Sequence, residues 1–224
     1  MIEKALLLVG SPKVEQSTSA SLGNYLISKL EEAGMTSKVL LIHRVVNRED
    51  KIKTLLDEVE IADLIILSFP LYVDSLPAPV IKAMELIRDN RRSLKSKRHP
   101  NFIAIANNGF PEASQNNVAL KICRIFSNEC ELVWKGGIAL GGGGAVHGVP
   151  LLEKASRFRN IINGLDLVAL ALKDDKEIPQ EAYNFISKEL IPPSIYRFFG
   201  NYGWRSQAKR YGVKQKITQK PYLN

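Results

Sequence analysis

The first residues that could do chemistry lie between positions 10 and 19, directly after a short apolar run. Hydroxyl side chains donate hydrogen bonds, lysine adds positive charge, and the N-terminus of a following helix offers free backbone N–H groups. A single hydroxyl is explained by helix capping, whereas four hydroxyls beside a lysine favour a phosphate site. The candidate residues are Ser11, Lys13, Ser17, Thr18 and Ser19.

This candidate phosphate loop matches neither of the two common nucleotide-binding motifs. The sequence contains no GxxxxGK[ST] pattern and no GxGxxG pattern at this place. Those patterns cradle nucleoside triphosphates and Rossmann-bound dinucleotides, respectively. Both of these ligand classes are therefore disfavoured for the loop.

A second group of candidate residues is apolar and aromatic. An aromatic side chain at the end of a strand is expected to be buried or to contact a ligand, and a flat conjugated ring is its natural partner. Packing of Tyr72 on its own protein is the alternative, and a phosphate loop nearby makes it the weaker one. The group consists of Pro70, Leu71, Tyr72 and Val73.

A third group combines asparagine and glycine. Both residue types tolerate positive φ, so a plain turn is one interpretation. The alternative is that the loop presents backbone N–H groups to the carbonyl and nitrogen edge of a ring, with Gly109 allowing close approach. The group consists of Asn107, Asn108, Gly109 and Phe110.

The elements that must position these groups alternate along the chain. Apolar runs predict strands at 5–9, 39–42, 64–67, 102–106 and within 132–140, each followed by an amphipathic helical stripe. Near-continuous apolar strands indicate a parallel sheet that is buried on both faces, and right-handed crossovers make it a doubly wound α/β fold. In such a sheet ligands bind at the carboxyl ends of the strands, where all three groups fall.

The three groups in this order resemble the flavodoxin-like NAD(P)H-dependent FMN reductase and quinone reductase superfamily. The resemblance covers roughly the first 170 residues and implies a five-stranded parallel sheet of order 2-1-3-4-5. It also implies that the first loop holds the FMN phosphate, the second lies along the isoalloxazine ring, and the third meets its polar edge. The matching pieces are Gly10–Lys13 with Ser17–Ser19, Pro70–Tyr72 with Pro77 and Lys82, and Asn108–Glu112.

The function that the resemblance implies is an FMN-dependent NAD(P)H oxidoreductase, often a homodimer. It would pass a hydride or electrons from NADH or NADPH to a quinone, free flavin or similar small acceptor. Since the flavin carries the chemistry, no catalytic side chain is assigned, and no compact cysteine cluster is present to hold a metal cluster. The alternatives are a flavodoxin-type electron carrier for a protein partner, and a non-enzymatic module that binds a membrane or a partner.

The C-terminal part of the chain carries nearly all of the net charge of +8. Residues 191–224 hold seven lysines and arginines and no acid, so residues 1–190 have a net charge of only +1. Seven aromatic residues, including Tyr222, lie in the same stretch, whereas disordered tails are poor in aromatics. We therefore expect a flavodoxin-like domain at 1–173 and a C-terminal helix with a basic aromatic tail at 174–224. The tail is predicted to dock on the domain or on a sister subunit, with peripheral membrane contact as an alternative and no nucleic acid partner.

Three further features carry expectations. Cys123 and Cys130 form no CxxC motif and are predicted to be free thiols in the reducing cytoplasm, because the N-terminal apolar run is too short for a signal peptide. The glycines at 141–144 predict either a mobile loop over the flavin or a tight turn. The basic run at 91–98 is expected to be a solvated turn between a helix and the fourth strand.

Overall fold

The computed structural model describes residues 2–13 and 16–220. Five strands form one sheet in the order β2-β1-β3-β4-β5, and every neighbouring pair is parallel. The predicted flavodoxin-like fold and strand order are confirmed. The strands are β1 (Lys4–Val9), β2 (Thr36–Leu41), β3 (Leu64–Pro70), β4 (Asn101–Asn107) and β5 (Val133–Leu140).

Helices connect the strands and cover the sheet. They are α1 (Thr18–Glu32), α2 (Ile42–Val45), α3 (Glu49–Ile61), α4 (Ala78–Leu94), α5 (Asn117–Glu129), α6 (Ala155–Lys173), α7 (Gln180–Ile186) and α8 (Pro193–Arg210). Short 3₁₀ turns occur at Ala113–Asn116, Gly143–Ala145, Leu151–Lys154 and Lys214–Lys216. None of the helices in the described ranges is long and apolar enough to cross a membrane.

The core lies on the three central strands, whose side chains are almost all buried. The helix α1 approaches β1 closely at Gly23, where an added Cβ would lie 2.7 Å from a methyl group of Leu7. The strand β2 differs from the prediction of burial on both faces, because its residues are exposed or half-buried. It is an edge strand that pairs only with β1, and Ile42 begins α2 instead of ending the strand.

The chain divides into two compact units, Met1–Glu189 and Leu190–Asn224. The first unit continues past the predicted boundary at 173 because α7 packs on α6 and β5. Ile186 contacts Gly164 so closely that a Cβ at the glycine would collide with it, and the Tyr183 hydroxyl fills the equivalent space at Gly136. The helix α7 therefore belongs to the packed first unit. Tyr222 of the predicted tail lies outside the described residues.

The amino-terminal edge of the sheet is held by a network around Arg91. This side chain is only 4% exposed, and its guanidinium donates to the Cys130 carbonyl at 2.8 Å, to Glu60 at 3.1 Å and to the Arg98 carbonyl at 2.6 Å. The expectation of a solvated turn was therefore wrong for Arg91, which lies inside α4. Arg92 also lies in α4, although its side chain is exposed, and the expectation holds for Lys95 and Lys97, which follow the helix and are exposed.

Asp63 is the second anchor of the amino-terminal edge. Its carboxylate accepts the backbone N–H groups of Glu3 and Lys4, both at 3.0 Å, and pairs with Arg98 at 2.6 Å. Partial burial alone would raise the pKa of Asp63, but the two N–H donors and the guanidinium outweigh it and hold the pKa below its ordinary value. The ionised carboxylate therefore fastens the beginnings of β1 and β3 together.

Both cysteines are free and buried, as the sequence predicted. Burial raises the pKa of the Cys123 thiol to about 12 and that of Cys130 to about 11. Thiols of this kind are poor nucleophiles at neutral pH. Both side chains contribute to the hydrophobic core.

Candidate functional site

The first loop leaves β1 in direct contact with β3. The Gly10 N–H donates to the Ser68 carbonyl at 2.7 Å. A Cβ at Gly10 would lie 2.8 Å from the Cβ of Phe69 and would also collide with Val80. Only glycine allows this approach, so position 10 fixes the start of the loop against the neighbouring strand.

Ser11 and Ser17 each accept a structural hydrogen bond and keep a hydroxyl proton that has no acceptor among the described residues. The Ser17 hydroxyl caps α1 by accepting the Ala20 N–H at 3.1 Å, and the Ser11 hydroxyl accepts the Lys13 N–H at 3.3 Å. Because both oxygens act as acceptors, their O–H groups remain able to donate to an anion. Lys13 is exposed beside them. Capping and phosphate binding are therefore compatible at this loop.

Thr18 and Ser19 use their hydroxyls to join neighbouring loops. The Thr18 hydroxyl donates to the Gly143 carbonyl at 2.7 Å, and the buried Ser19 hydroxyl accepts the Asn107 amide at 2.8 Å. What these residues still offer to a phosphate is their backbone, at the N-terminus of α1, where helical N–H groups have no partner within the helix.

The second loop forms a tight turn at the end of β3. Tyr72 and Ser75 exchange two backbone hydrogen bonds, of 2.9 and 3.1 Å, around Val73 and Asp74. The central residues have φ values of 48° and 58°. A left-handed conformation is rare for a β-branched residue and costs energy, and such strain concentrates at functional loops. The turn holds Val73 almost fully in solvent.

An apolar rim results at the carboxyl ends of the strands, consisting of Tyr72, Val73 and Phe110. These side chains are 44%, 97% and 53% exposed. The half-buried Pro70 and Leu71 precede them, and the Leu71 N–H donates to the Asn107 carbonyl at 2.7 Å, which fastens the second loop to β4. Aromatic and aliphatic side chains held in this way suit the face of a flat conjugated ring.

Asn107 connects three elements. Its buried side-chain amide donates to the Ser19 hydroxyl at 2.8 Å and to the Phe69 carbonyl at 3.0 Å. The side chain therefore links α1, β3 and β4. Sequence reasoning placed Asn107 in the site but did not foresee that its amide is used for this internal connection.

Asn108 is one of three residues with a buried side-chain polar atom that has no hydrogen-bond partner among the described residues, together with His43 and Asn116. The Asn108 amide nitrogen donates to the Glu112 carbonyl at 3.1 Å, whereas its side-chain oxygen is buried and has no hydrogen-bond partner among the described residues. A buried acceptor without a donor is costly and indicates a missing partner. At the neighbouring Gly109, an added Cβ would meet nothing within 4 Å, so the loop is open there.

These two residues fit the polar edge of a flavin. That edge carries one N–H group between two carbonyl oxygens. The Asn108 oxygen is an acceptor for the N–H, and the exposed backbone around Gly109 is accessible to the carbonyls. The residues present therefore suit FMN at both ends, with an anion site in the first loop and a polar edge in the third.

The glycine segment after β5 is a packed turn. The Gly142 N–H donates to the Phe110 carbonyl at 2.6 Å, and the Gly143 N–H donates to the Asn108 carbonyl at 2.7 Å. Together with the bond from Thr18 to Gly143, these contacts join the first and third loops. Sequence reasoning missed Gly143 as a connecting residue, although the run of glycines marked a close approach of backbones.

The family comparison matches the domain that contains these loops. Residues 4–108 match the profile of the NADPH-dependent FMN reductase family. The matched segment is slightly less than half of the chain. The match includes the first two loops and ends at Asn108, and it confirms the predicted superfamily. An FMN reductase of this family uses FMN and a nicotinamide donor, so the predicted enzyme class and cofactors are confirmed at the level of the family.

Solved structures are similar in fold at low sequence identity. An FMN-dependent NADH-azoreductase from Bacillus anthracis in complex with FMN is 12% identical, with a TM-score of 0.55 over 77% of this chain and 100% of that one. An apo NADH:FMN oxidoreductase is 16% identical, with a TM-score of 0.52 over 74% and 89%. RosB with a bound riboflavin-phosphate intermediate is 10% identical, with a TM-score of 0.57 over 99% and 92%. No curated protein matches the sequence.

Proposed function

We propose that the protein is an FMN-dependent NAD(P)H oxidoreductase whose electron acceptor is a quinone, a free flavin or a similar small molecule. The observation that carries the proposal is the meeting of three loops at the carboxyl edge of β1, β3 and β4. Hydrogen bonds through Asn107, Gly143 and Leu71 hold these loops together. The family match covers two of the loops and part of the third.

Each loop has a separate binding task in this proposal. Ser11, Lys13, Ser17 and the N-terminus of α1 bind the FMN phosphate through hydrogen bonds and charge. The apolar rim lies along the ring and excludes water from it. Asn108 accepts an N–H from the polar edge of the ring at its buried side-chain oxygen.

The remaining predicted site residues act through position. Thr18, Ser19 and Asn107 keep the first loop in register with β4, and Pro70 and Leu71 place the apolar rim. When bound, FMN supplies the hydride and electron transfer chemistry. The chain contributes binding, orientation and exclusion of water, and we assign no catalytic side chain.

We further propose that the protein forms a homodimer through α5. Val118, Ile122 and Ile125 recur at helical spacing on one face of this helix, and all three side chains are exposed. An exposed apolar stripe of this kind is typical of an interface. Sedimentation velocity should show a dimer for the wild type and a monomer for Ile125→Glu. A wild-type monomer at micromolar concentration would contradict the dimer.

We also propose that the protein works in a reducing compartment such as the cytoplasm. The two thiols are free and buried, which supports this placement. Fractionation of the native host, followed by thiol trapping, should find both cysteines reduced and the protein in the cytoplasmic fraction.

The decisive experiment for the function separates cofactor binding from turnover. The apo-protein is titrated with FMN, and the complex is then mixed with NADH or NADPH in a stopped-flow instrument. We expect bound flavin, loss of its visible absorbance with one nicotinamide, and reoxidation by a soluble quinone. Reduction by neither nicotinamide would instead indicate an electron carrier that serves a protein partner. Failure to retain FMN at micromolar concentration would overturn the proposal.

A further inference from the structure

The second compact unit consists mainly of the helix α8. It begins after Pro192 with Pro193 in the first turn, where proline is favoured, and ends before Gly212, whose φ of 70° requires the left-handed conformation. No side chain of α8 is buried. The sequence predicted only a basic aromatic tail for this segment, whereas a regular helix gives the side chains defined faces.

Four large side chains form one face of the first three turns. Ile195, Phe198, Phe199 and Tyr202 have the spacing i, i+3, i+4 and i+7, which places them on one side of a helix. They are 47%, 68%, 66% and 69% exposed, and the two phenylalanine rings meet edge to face with centroids 5.5 Å apart. We call this face the aromatic stripe. Aromatic surface of this size on a helix is expected to have a partner.

Positive charge continues the same face toward the C-terminus. Arg205 lies seven residues after Phe198, and Lys209 lies seven residues after Tyr202, so both follow the stripe along the helix. Arg210 flanks this side, and Lys214 and Lys216 follow in the next turn. The whole stretch from 191 to 224 contains no acid. The helix thus presents aromatic groups first and an uncompensated cationic surface after them.

We propose that this face of α8 docks on an anionic lipid surface, with the helix lying in the plane of the interface. Aromatic side chains settle at the boundary between headgroups and acyl chains, and clustered lysines and arginines attract anionic headgroups. With four cations in its 18 residues, α8 is suited to lie on a bilayer and not to span it.

Charge argues for lipid over the other occupants. A second copy of the tail would bring seven further positive charges against the first, and residues 1–190, with a net charge of +1, offer no compensating field. A nucleic acid would satisfy the cations. The aromatic stripe, however, includes two phenylalanines and an isoleucine, whereas proteins that read a groove place polar side chains against the bases.

Vesicle co-sedimentation of the full chain tests the proposal. Vesicles of phosphatidylcholine alone are compared with vesicles that also contain phosphatidylglycerol. We expect binding to the anionic vesicles only, weakened by added salt. The triple variant Phe198→Ser/Phe199→Ser/Tyr202→Ser should lower the partition coefficient at least about tenfold. Its matched control is Trp204→Ser/Tyr211→Ser, which removes exposed aromatics from the opposite side of the helix and should change binding less than about twofold.

A second pair of variants tests the cations. Arg205→Gln/Lys209→Gln/Arg210→Gln should reduce binding to anionic vesicles about tenfold or more. Lys53→Gln/Lys97→Gln/Lys121→Gln changes net charge equally at exposed positions of the first unit and should leave most of the binding intact. Retained FMN binding shows that each variant keeps its first unit folded. In addition, the emission of Phe199→Trp should shift to the blue on anionic vesicles.

Several results would overturn the lipid proposal. The first is equal binding of the wild type to neutral and to anionic vesicles. The second is unchanged vesicle binding of the aromatic triple variant. The third is a fluorescence emission of Phe199→Trp that anionic vesicles do not shift. Conversion of a dimer to a monomer by that triple variant, without a change in vesicle binding, would assign the stripe to a second copy. Tight binding of a DNA or RNA oligonucleotide that displaces vesicle binding would assign it to nucleic acid.

Discussion

The two edges of the sheet differ in whether their polar groups are paired within this chain. At the amino-terminal edge, Arg91 and Asp63 are fully engaged by Glu60, Arg98 and backbone groups of this chain. At the carboxyl edge, the side-chain oxygen of Asn108 has no partner among the described residues, and the apolar rim stands in solvent. At the amino-terminal edge the polar groups bind one another and stabilise the fold, whereas the carboxyl edge leaves groups that a ligand could contact.

The strongest challenge to this comparison is the removal of Arg91. Arg91→Met should lower the free energy of unfolding by about 3–5 kcal/mol, because Glu60 then loses its buried partner and two carbonyls lose their donor. The exposed pair between Arg92 and Glu129 provides the control, and Arg92→Met should cost no more than about 1 kcal/mol. Urea unfolding measures both. The fraction of Arg91→Met protein that stays folded should bind FMN with wild-type affinity. A loss of FMN affinity would show that the two edges of the sheet are not independent.

The complementary change removes groups from the phosphate loop. Lys13→Ala with Ser17→Ala should weaken FMN binding by about 2–4 kcal/mol, since charged hydrogen bonds contribute about 1.5–3 kcal/mol each. Loss of the Ser17 cap should lower the free energy of unfolding by only about 1 kcal/mol. Ser17→Ala with Lys53→Ala separates the cap from the lysine and should lose less affinity. Unchanged FMN affinity in the first double variant would mean that the phosphate binds elsewhere.

The pH dependence of stability tests the role of Asp63 at the amino-terminal edge. Asp63→Asn should lower the free energy of unfolding at pH 7 by about 1–3 kcal/mol, because the N–H donors and Arg98 lose a charged acceptor. The pKa of Asp63 is lower in the folded state than in the unfolded state. This contribution is therefore complete above the ordinary aspartate pKa and is lost as the pH falls through the folded pKa. The difference between wild type and variant should shrink in urea unfolding below about pH 4, and a constant difference would contradict the assignment.

The smallest expected effect is at Val73. Val73→Gly should raise the free energy of unfolding by about 0.5–1 kcal/mol, because relief of the left-handed conformation exceeds the entropy cost of glycine. Thr54→Gly, at an exposed position inside α3, should lower it by a similar amount. If both glycines destabilise equally, no strain is stored at the carboxyl edge. FMN affinity should fall with Val73→Gly, since one member of the apolar rim is lost.

The sequence predicts the fold and the location of the site well, for a physical reason. Buried parallel strands must be continuously apolar, and the topology brings their carboxyl ends together, so the loops at 10–19, 70–73 and 107–110 could be grouped from sequence. The family match confirms the superfamily that these loops indicated.

Contacts between distant residues could not be predicted in the same way. The amide of Asn107 reaches Ser19 across 88 positions, and Arg91 is buried through partners 31 and 39 positions away. Neither residue type nor local spacing encodes such partners. The edge position of β2 and the packing of α7 also depend on the assembled sheet. The helix α8 was not predicted either, since its residues were grouped only by their charge and aromatic content.

A comparative titration of the apo-protein with FMN and with riboflavin tests most directly whether the carboxyl edge is a flavin site with a phosphate anchor. We predict one FMN per chain at micromolar concentration or tighter, and riboflavin binding weaker by about tenfold or more, because it lacks the phosphate. The Lys13→Ala/Ser17→Ala variant should reduce this difference, whereas Arg92→Met should keep it. Equal affinity for FMN and riboflavin, or no binding of FMN at micromolar concentration, would contradict the account.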